Sequence, residues 1–382
     1  MTLPDAVLKA IARLEEAGHE AVVVGGCVRD FLMGRVPTDY DLATSALPEE
    51  VMAALPGERI VPTGLKHGTV TLVTRGMAIE ITTYRVDGEY LDHRRPAGVR
   101  FTGSLTEDLK RRDFTVNAIA WSPVRGYFDP ADGRRDIEAK VIRAVGDAAS
   151  RFQEDALRIL RALRFAARLM FSIEPDTALA LTALKDMLRF VARERVGAEI
   201  VGFVQGPGAA RIARAHRDVL EAAIPELSKV SPDEWERALR FMERAPVEPA
   251  ARLAALFSPL GQDAEGALWS LRLPAKEIAR AMRLIEWLGK PEVSPARALG
   301  ALGPEDARSL LQMRGGDGAA LEHLIETDAC VTVAQLAVNG RDLTALGIKG
   351  PAVGRTLERL LTDVIDGAPN DREALLSRAL HR

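Results

Sequence analysis

The sequence predicts an α+β protein, in which a mixed α/β head is followed by a remainder that is helical throughout. Three observations predict it. Short β-branched runs bounded by turn residues occur only before about Gly146. From Asp147 onward they give way to helical periodicity rich in Ala, Leu, Arg and Glu. Aromatic residues make up only 5% of the chain, which argues against a β-sandwich of aromatic-rich strands. The 382 residues suffice for one large domain or several smaller packed ones.

The elements follow in order. Val7, Ile11 and Leu14 recur at helical spacing, so the chain opens with an amphipathic helix that Gly18 ends. Ala21-Val22-Val23-Val24 is a buried strand, and Gly25-Gly26 turns it into another helical segment. Residues 69–74 and 78–84 form two further strands, the second alternating apolar positions at Ile79 and Ile81. The polar stretch 86–97, with Gly88, Pro96 and a cluster of charges, is a loop. Tyr127-Phe128 ends a short strand before a turn over 129–133. Beyond the head, Pro175, Gly206-Pro207-Gly208, Pro225, Pro249, Pro274 and Gly315-Gly316 mark breaks between helices.

Composition narrows the function. Hydrophobic residues at 47% and charged residues at 27% are ordinary for a globular protein. The net charge of -3 means that a nucleic-acid partner would have to use a local basic patch. Cys27 and Cys330 are far apart and form no CxxC pair, which disfavours a disulfide framework or a structural zinc site. The start of the chain has no signal-like pattern, and no run reaches the length of a membrane span, so a cytoplasmic location is expected.

The chemistry concentrates in four places. Gly25-Gly26-Cys27-Val28-Arg29-Asp30 follows a strand. Glycines there allow the close backbone approach that a triphosphate needs, and Arg29 can neutralise phosphate charge. Asp39-Tyr40-Asp41 comes next, and residues two apart in a strand point to one side. Paired carboxylates suit Mg²⁺, which prefers oxygen ligands and also coordinates phosphates. Two ions roughly 3.5–4 Å apart would activate a hydroxyl and stabilise departing pyrophosphate. Glu80, opposite in facing to Ile79 and Ile81, is either a third carboxylate near the metals or a surface glutamate on an edge strand.

Lys110-Arg111-Arg112-Asp113-Phe114-Thr115-Val116-Asn117 joins basic and acidic groups on one short element. An Arg–Asp pair can hold a ribose hydroxyl network or be a surface ion pair. Glu154-Asp155-Ala156-Leu157-Arg158 is expected to open a helix that continues through Arg161, Arg164 and Arg168. Helical spacing would place Glu154, Asp155 and Arg158 on one face, either as a salt bridge or as a base-reading pair. Cytosine and adenine both show a ring-nitrogen acceptor beside an exocyclic amine. Asp155 can accept from the amine while Arg158 donates to the ring nitrogen. Uracil and guanine carry N–H at that position and would meet Arg158 donor to donor. Glu154 can orient Arg158, and Arg161 lies one turn further along the same face.

Together these residues resemble class II tRNA nucleotidyltransferases and the related bacterial poly(A) polymerases. The resemblance rests on Gly25-Gly26-x-Val28-Arg29-Asp30, Asp39-x-Asp41-x-x-Thr44, Arg111-Arg112-Asp113-Phe114-Thr115-x-Asn117-Ala118 and Glu154-Asp155-x-x-Arg158, and it covers about residues 20 to 200. It implies a DNA-polymerase-β-like nucleotidyltransferase head at 1–146, a helical neck with a base-selecting template at 147–205, a helical body at 206–310 and a tRNA-contacting tail at 311–382. It also implies that Asp39 and Asp41 bind two Mg²⁺ ions, with Glu80 beside them, and that Arg112 and Asp113 recognise ribose. Gly25, Gly26, Arg29 and Asn117 would complete the nucleotide site with the Asp155–Arg158 template, supported by Glu154, and with Arg161. Glu194-Arg195 resembles the motif that braces that template.

The resemblance further implies tRNA, CTP and ATP as substrates. Two stretches favour CCA addition over poly(A) synthesis: the segment 63–69, and the stretch 87–96, which looks like the loop needed to switch from CTP to ATP. Arg164, Arg168 and Arg193 are candidates for guiding the RNA backbone, which would make affinity fall with salt. The competing readings are an enzyme that adds only A, one that transfers AMP to a small molecule, and a non-catalytic RNA-binding protein.

Overall fold

The computed structural model describes residues 1–87, 99–316 and 318–380, which form two compact units, Met1–Pro225 and Glu226–Arg382. In the first unit, α1 (Asp5–Glu16) buries Val7, Ile11 and Leu14. Gly18, at φ +89°, turns the chain into β1 (Ala21–Val24), all four residues of which are buried. There follow α2 (Gly26–Leu32), β2 (Tyr40–Thr44), α3 (Pro48–Ala54), β3 (Arg59–Gly64), β4 (Thr69–Thr74), β5 (Met77–Thr83), β6 (Arg85–Asp87), β7 (Val99–Phe101), α4 (Leu105–Lys110), β8 (Ala120–Ser122), β9 (Gly126–Phe128) and α5 (Gly133–Ala139).

Seven strands make one sheet in the order β3-β4-β5-β2-β1-β8-β9. Its pairs are antiparallel except β2 with β5, which run parallel. Their register sets Tyr40 against Ile79, Asp41 against Glu80 and Leu42 against Ile81. Alternation then sorts the side chains. Tyr40, Leu42, Ile79 and Ile81 are buried, whereas Asp41 and Glu80 emerge together on the opposite face. On that face α4 lays Leu105 and Leu109 over Val22, Val24, Ala43 and Ala120. Helices α1 and α3 pack against β1 and β5. Strands β6 and β7 pair as a separate ribbon, and the loop expected at 86–97 falls for the most part outside the described residues.

The parallel pair β10 (Val141–Ile142) and β11 (Ser172–Ile173) carries β structure past Gly146, although each strand has only two residues. Otherwise the chain is helical from α6 (Ala148–Glu154) through α7 (Leu157–Leu169), α8 (Pro175–Leu184), α9 (Arg193–Val204), α10 (Ala209–Ala215) and α11 (Arg217–Ala223). Helices α7 and α9 pack along each other, and α9 ends where small residues are required. A Cβ on Gly206 would stand 2.7 Å from the backbone carbonyl carbon of Ala167.

The second unit contains α12 (Pro232–Arg244), α13 (Pro249–Phe257), α14 (Ala264–Ser270), α15 (Ala275–Leu288), α16 (Pro295–Arg314), α17 (Gly318–Glu326), α18 (Gly340–Ala345), α19 (Pro351–Ile365) and α20 (Arg372–Leu380). Proline begins α12, α13, α16 and α19, where its missing N–H leaves no helical bond unmade. Helix α16 breaks at Gly303, at φ +77°, and Pro304 starts its second limb. Leu336, Val338, Leu343, Leu360 and Leu375 form a separate small core under α18 to α20. Among the described residues, no helix is long and apolar enough to cross a membrane.

Candidate active site

Asp41 and Glu80 lie on the floor of a polar cleft of about 480 Å³ in the first unit. Adjacent places on parallel strands force the two carboxylates together. Desolvation raises the Asp41 carboxyl above its ordinary range, Glu80 and Asp39 raise it further, and Arg112 opposes them. The sequence placed Asp39 within the strand, but β2 begins one residue later, at Tyr40. Asp39 is exposed at the strand entrance, and its carboxylate accepts from the Thr38 hydroxyl at 3.2 Å. It reaches Asp41 electrostatically without lining the cleft. Glu80 is not on an edge strand, since β5 lies between β4 and β2.

The Gly25-Gly26 turn carries a constraint that the sequence only partly announces. Gly25 adopts φ +79°, and a Cβ there would meet an Arg112 guanidinium nitrogen at 3.3 Å. Its N–H donates to the Ile119 carbonyl at 3.2 Å. Gly26 begins α2. Arg29, expected at the phosphates, is instead buried, 4% exposed. Its guanidinium donates to the Asn117 side-chain oxygen at 2.6 Å and to the Asp30 carboxylate at 2.7 and 2.9 Å. Asn117 passes the connection on through its amide, which donates to Asp113 at 3.3 Å. Arg29 and Asn117 thus support Asp113 from behind the cleft wall.

Asp113 itself lines the cleft and accepts from Arg161 at 2.8 Å. Burial opposes its charge, but Arg161, the hydrogen bonds from Arg161 and Asn117, and the charge of Arg158 prevail and hold its carboxyl below the usual range. Arg112, also on the wall, is held by Asp108 at 3.2 Å, and the same carboxylate takes 2.8 and 3.0 Å bonds from Arg111. The sequence reading missed Asp108, which is 1% exposed. Its spacing of three and four residues from the two arginines was the available signal.

The expected single helix from Glu154 through Arg168 is broken. Helix α6 ends at Glu154, Asp155 is extended at φ -145° and ψ 102°, and α7 begins at Leu157. The Asp155 carboxylate causes the break by accepting from the Leu157 N–H at 3.1 Å, satisfying a donor at the new helix start. Asp155 and Arg158 line the cleft all the same, without sharing a helical face. Glu154 accepts from Arg158 at 2.6 Å, and Arg151 grips the other Glu154 oxygen. Arg158 also donates to the carbonyls of Arg151 and Arg111, each at 3.2 Å. From α9, Arg195 donates to Asp155 at 2.7 Å.

The three candidate RNA-guiding arginines differ. Arg164 lies 4.4 Å from the Phe165 ring centroid and donates to buried Glu199 at 2.6 Å. Arg193 donates to the Ala223 carbonyl at 2.9 Å, where α11 ends. Arg164 and Arg193 thus have internal partners, whereas Arg168 is exposed.

Asp39, Asp41 and Glu80 offer oxygen donors of one charge, and their repulsion on Asp41 is what a hard cation would relieve. The donor set therefore fits divalent metal, although among the described residues no three His, Cys, Asp or Glu side chains already converge as a ligand cluster.

A DNA-polymerase-β-like head with this cleft, joined to a helical remainder, defines a nucleotidyltransferase. Residues 21–143 match the family described as Poly A polymerase head domain. A CCA-adding enzyme of Geobacillus stearothermophilus is 38% identical over 98% of this chain and 96% of its own. The crystal structure of Bacillus stearothermophilus CCA-adding enzyme in complex with CTP is similar at a TM-score of 0.80 and 35% identity, covering 100% of this chain and 98% of that one. The Thermotoga maritima CCA-adding enzyme complexed with tRNA shares the fold at a TM-score of 0.72 and 23% identity, over 98% and 94% of the two chains. The chain belongs to the family of CCA-adding enzymes.

Proposed function

We propose that the protein rebuilds the CCA end of tRNA without a nucleic-acid template, using CTP and ATP and releasing pyrophosphate. The observation that carries this is Asp155 and Arg158 on the wall of the same cleft whose floor holds Asp41 and Glu80. A base-reading pair and a phosphoryl-transfer centre then act on one bound nucleotide. Asp155 accepts from the exocyclic amine of cytosine or adenine, and Arg158 donates to the ring nitrogen beside it. Each Asp155 oxygen already accepts one protein bond, yet carboxylate oxygens have a second lone pair to offer. Glu154 fixes the Arg158 guanidinium, and Arg112 with Asp113 holds the ribose.

Asp39 and Asp41, with Glu80, would hold the divalent cations. When bound, two Mg²⁺ ions supply charge neutralisation at the attacking and leaving oxygens. Positioning by the cleft residues supplies much of the remaining rate. Cys27 and Cys330 are few and far apart in the sequence, which suits a cytoplasmic setting. The head at 1–146, the neck at 147–205, the body at 206–310 and a tRNA-contacting tail at 311–382 complete the reading.

The test is nucleotide incorporation into tRNA transcripts ending before CCA, after the first C and after CC, each with CTP, ATP or both. Growth to CCA that then stops is the expected result. Addition of A to the CC-ending transcript alone would make the protein a split-pathway A-adding enzyme, and unlimited A addition a poly(A) polymerase.

A further inference from the structure

The reaction brings two substrates to the carboxylates, and the residues assigned so far account for one of them. Across the sheet, Asp41 on β2 and Glu80 on β5 occupy the middle. The Asp113 and Arg112 side of the cleft adjoins β1, where Arg112 approaches Gly25. The other side, over β4 and β5, presents different chemistry. Thr82 follows Glu80 by two residues and so faces the same way. Thr69 is its direct cross-strand partner. Their hydroxyls lie 3.0 Å apart, and both residues line the cleft, as does Arg85 just beyond β5.

We infer that the Thr69–Thr82 pair seats the terminal ribose of the RNA acceptor, an assignment that rests on the nucleotidyl-transfer reading above. Each hydroxyl can donate once and accept twice, so the mutual bond leaves capacity for a ligand. A ribose 2′-hydroxyl is both donor and acceptor, and it is the group by which a protein distinguishes RNA from DNA. The nucleotide occupies the Arg112–Asp113 and Asp155–Arg158 side. The attacking 3′-hydroxyl must therefore come over the carboxylates from the opposite wall, which is the threonine wall. Arg85 adds positive charge there, suited to the last phosphodiester. Valine at these positions would keep the strand, because it has the same branching as threonine and nearly the same volume.

The experiment compares Thr69→Val, Thr82→Val and the double variant with the unaltered protein. Acceptors are tRNA transcripts ending in a ribose or a 2′-deoxyribose. The unaltered protein is expected to prefer the ribose end. In the variants, KM for the ribose acceptor should rise about tenfold, the effect of losing one or two hydrogen bonds. KM for CTP should stay constant, and the preference for ribose over deoxyribose should collapse. An unchanged preference, or a rise confined to the KM for CTP, would overturn the assignment. Absence of any transfer by the unaltered protein would instead overturn the reading on which it rests.

Discussion

Asp41 combines exposure to solvent with a carboxyl raised by desolvation, Glu80 and Asp39. Its charged form is the one that binds metal, so transfer should fall as pH drops through a value above the ordinary aspartate range of about 4. Added divalent metal should move that limb to lower pH, which a set of pH–rate profiles at several metal concentrations would show. Asp41→Ala should lower transfer by about a thousandfold or more while tRNA retention on filters stays nearly the same; unchanged turnover would remove Asp41 from the centre. Asp108 behaves oppositely. Burial works against it, yet Arg112 and Arg111 prevail, so its folded-state carboxyl lies below the unfolded one. The stability it contributes is present above the unfolded value and lost as pH falls through the folded one. Acid unfolding of Asp108→Asn should therefore be less steep below about pH 4 than that of the unaltered protein. That Asp41, Asp113, Asp155 and Arg158 would line one cleft was legible in the sequence, because spacing and residue type express the chemistry proposed for them. The inward turn of Arg29 and the hub at Asp108 were not, because long-range partners decide where a guanidinium goes.

At the scale of elements, local signals located most boundaries. Pro175 and Pro249 begin helices, and Gly315, at φ +69°, ends one. The periodicity of β5 and the uniform burial of β1 were equally plain. Among the features that local signals missed are β3, whose residues are largely exposed, the short pair β10–β11, and the break at Asp155, where a side chain competes with the helical backbone. That break is a feature of the site, since an unbroken helix would fix Asp155 and Arg158 in another mutual orientation. The packing of α7 on α9 offers a direct test. Gly206→Ala would put a methyl 2.7 Å from the Ala167 carbonyl carbon and 2.8 Å from the Arg168 nitrogen, and backbone cannot rotate away as a side chain can. A loss of about 1–3 kcal/mol in denaturant unfolding is expected. A neutral result would mean that the helix ends separate freely.

For the whole molecule, the division at Pro225 predicts two folding units with their own cores. A fragment of residues 1–225 should unfold cooperatively and still bind CTP and ATP by calorimetry, because every cleft residue is within it. An unfolded fragment would show that the second unit is needed for the first. The net charge of -3 adds a further expectation. tRNA affinity should fall steeply with salt even though the chain as a whole is acidic, since local cationic contacts set the slope.

The register that sets Asp41 against Glu80 also carries a cost to the fold. Two like charges on neighbouring strands weaken the sheet that carries them, and their partnership joins segments distant in sequence. Asp41→Asn should consequently melt at a higher temperature than the active protein, and refold faster at low ionic strength. Such a variant would exchange chemistry for sturdiness: the pair of carboxylates that serves the transfer is also the pair that strains the sheet carrying it.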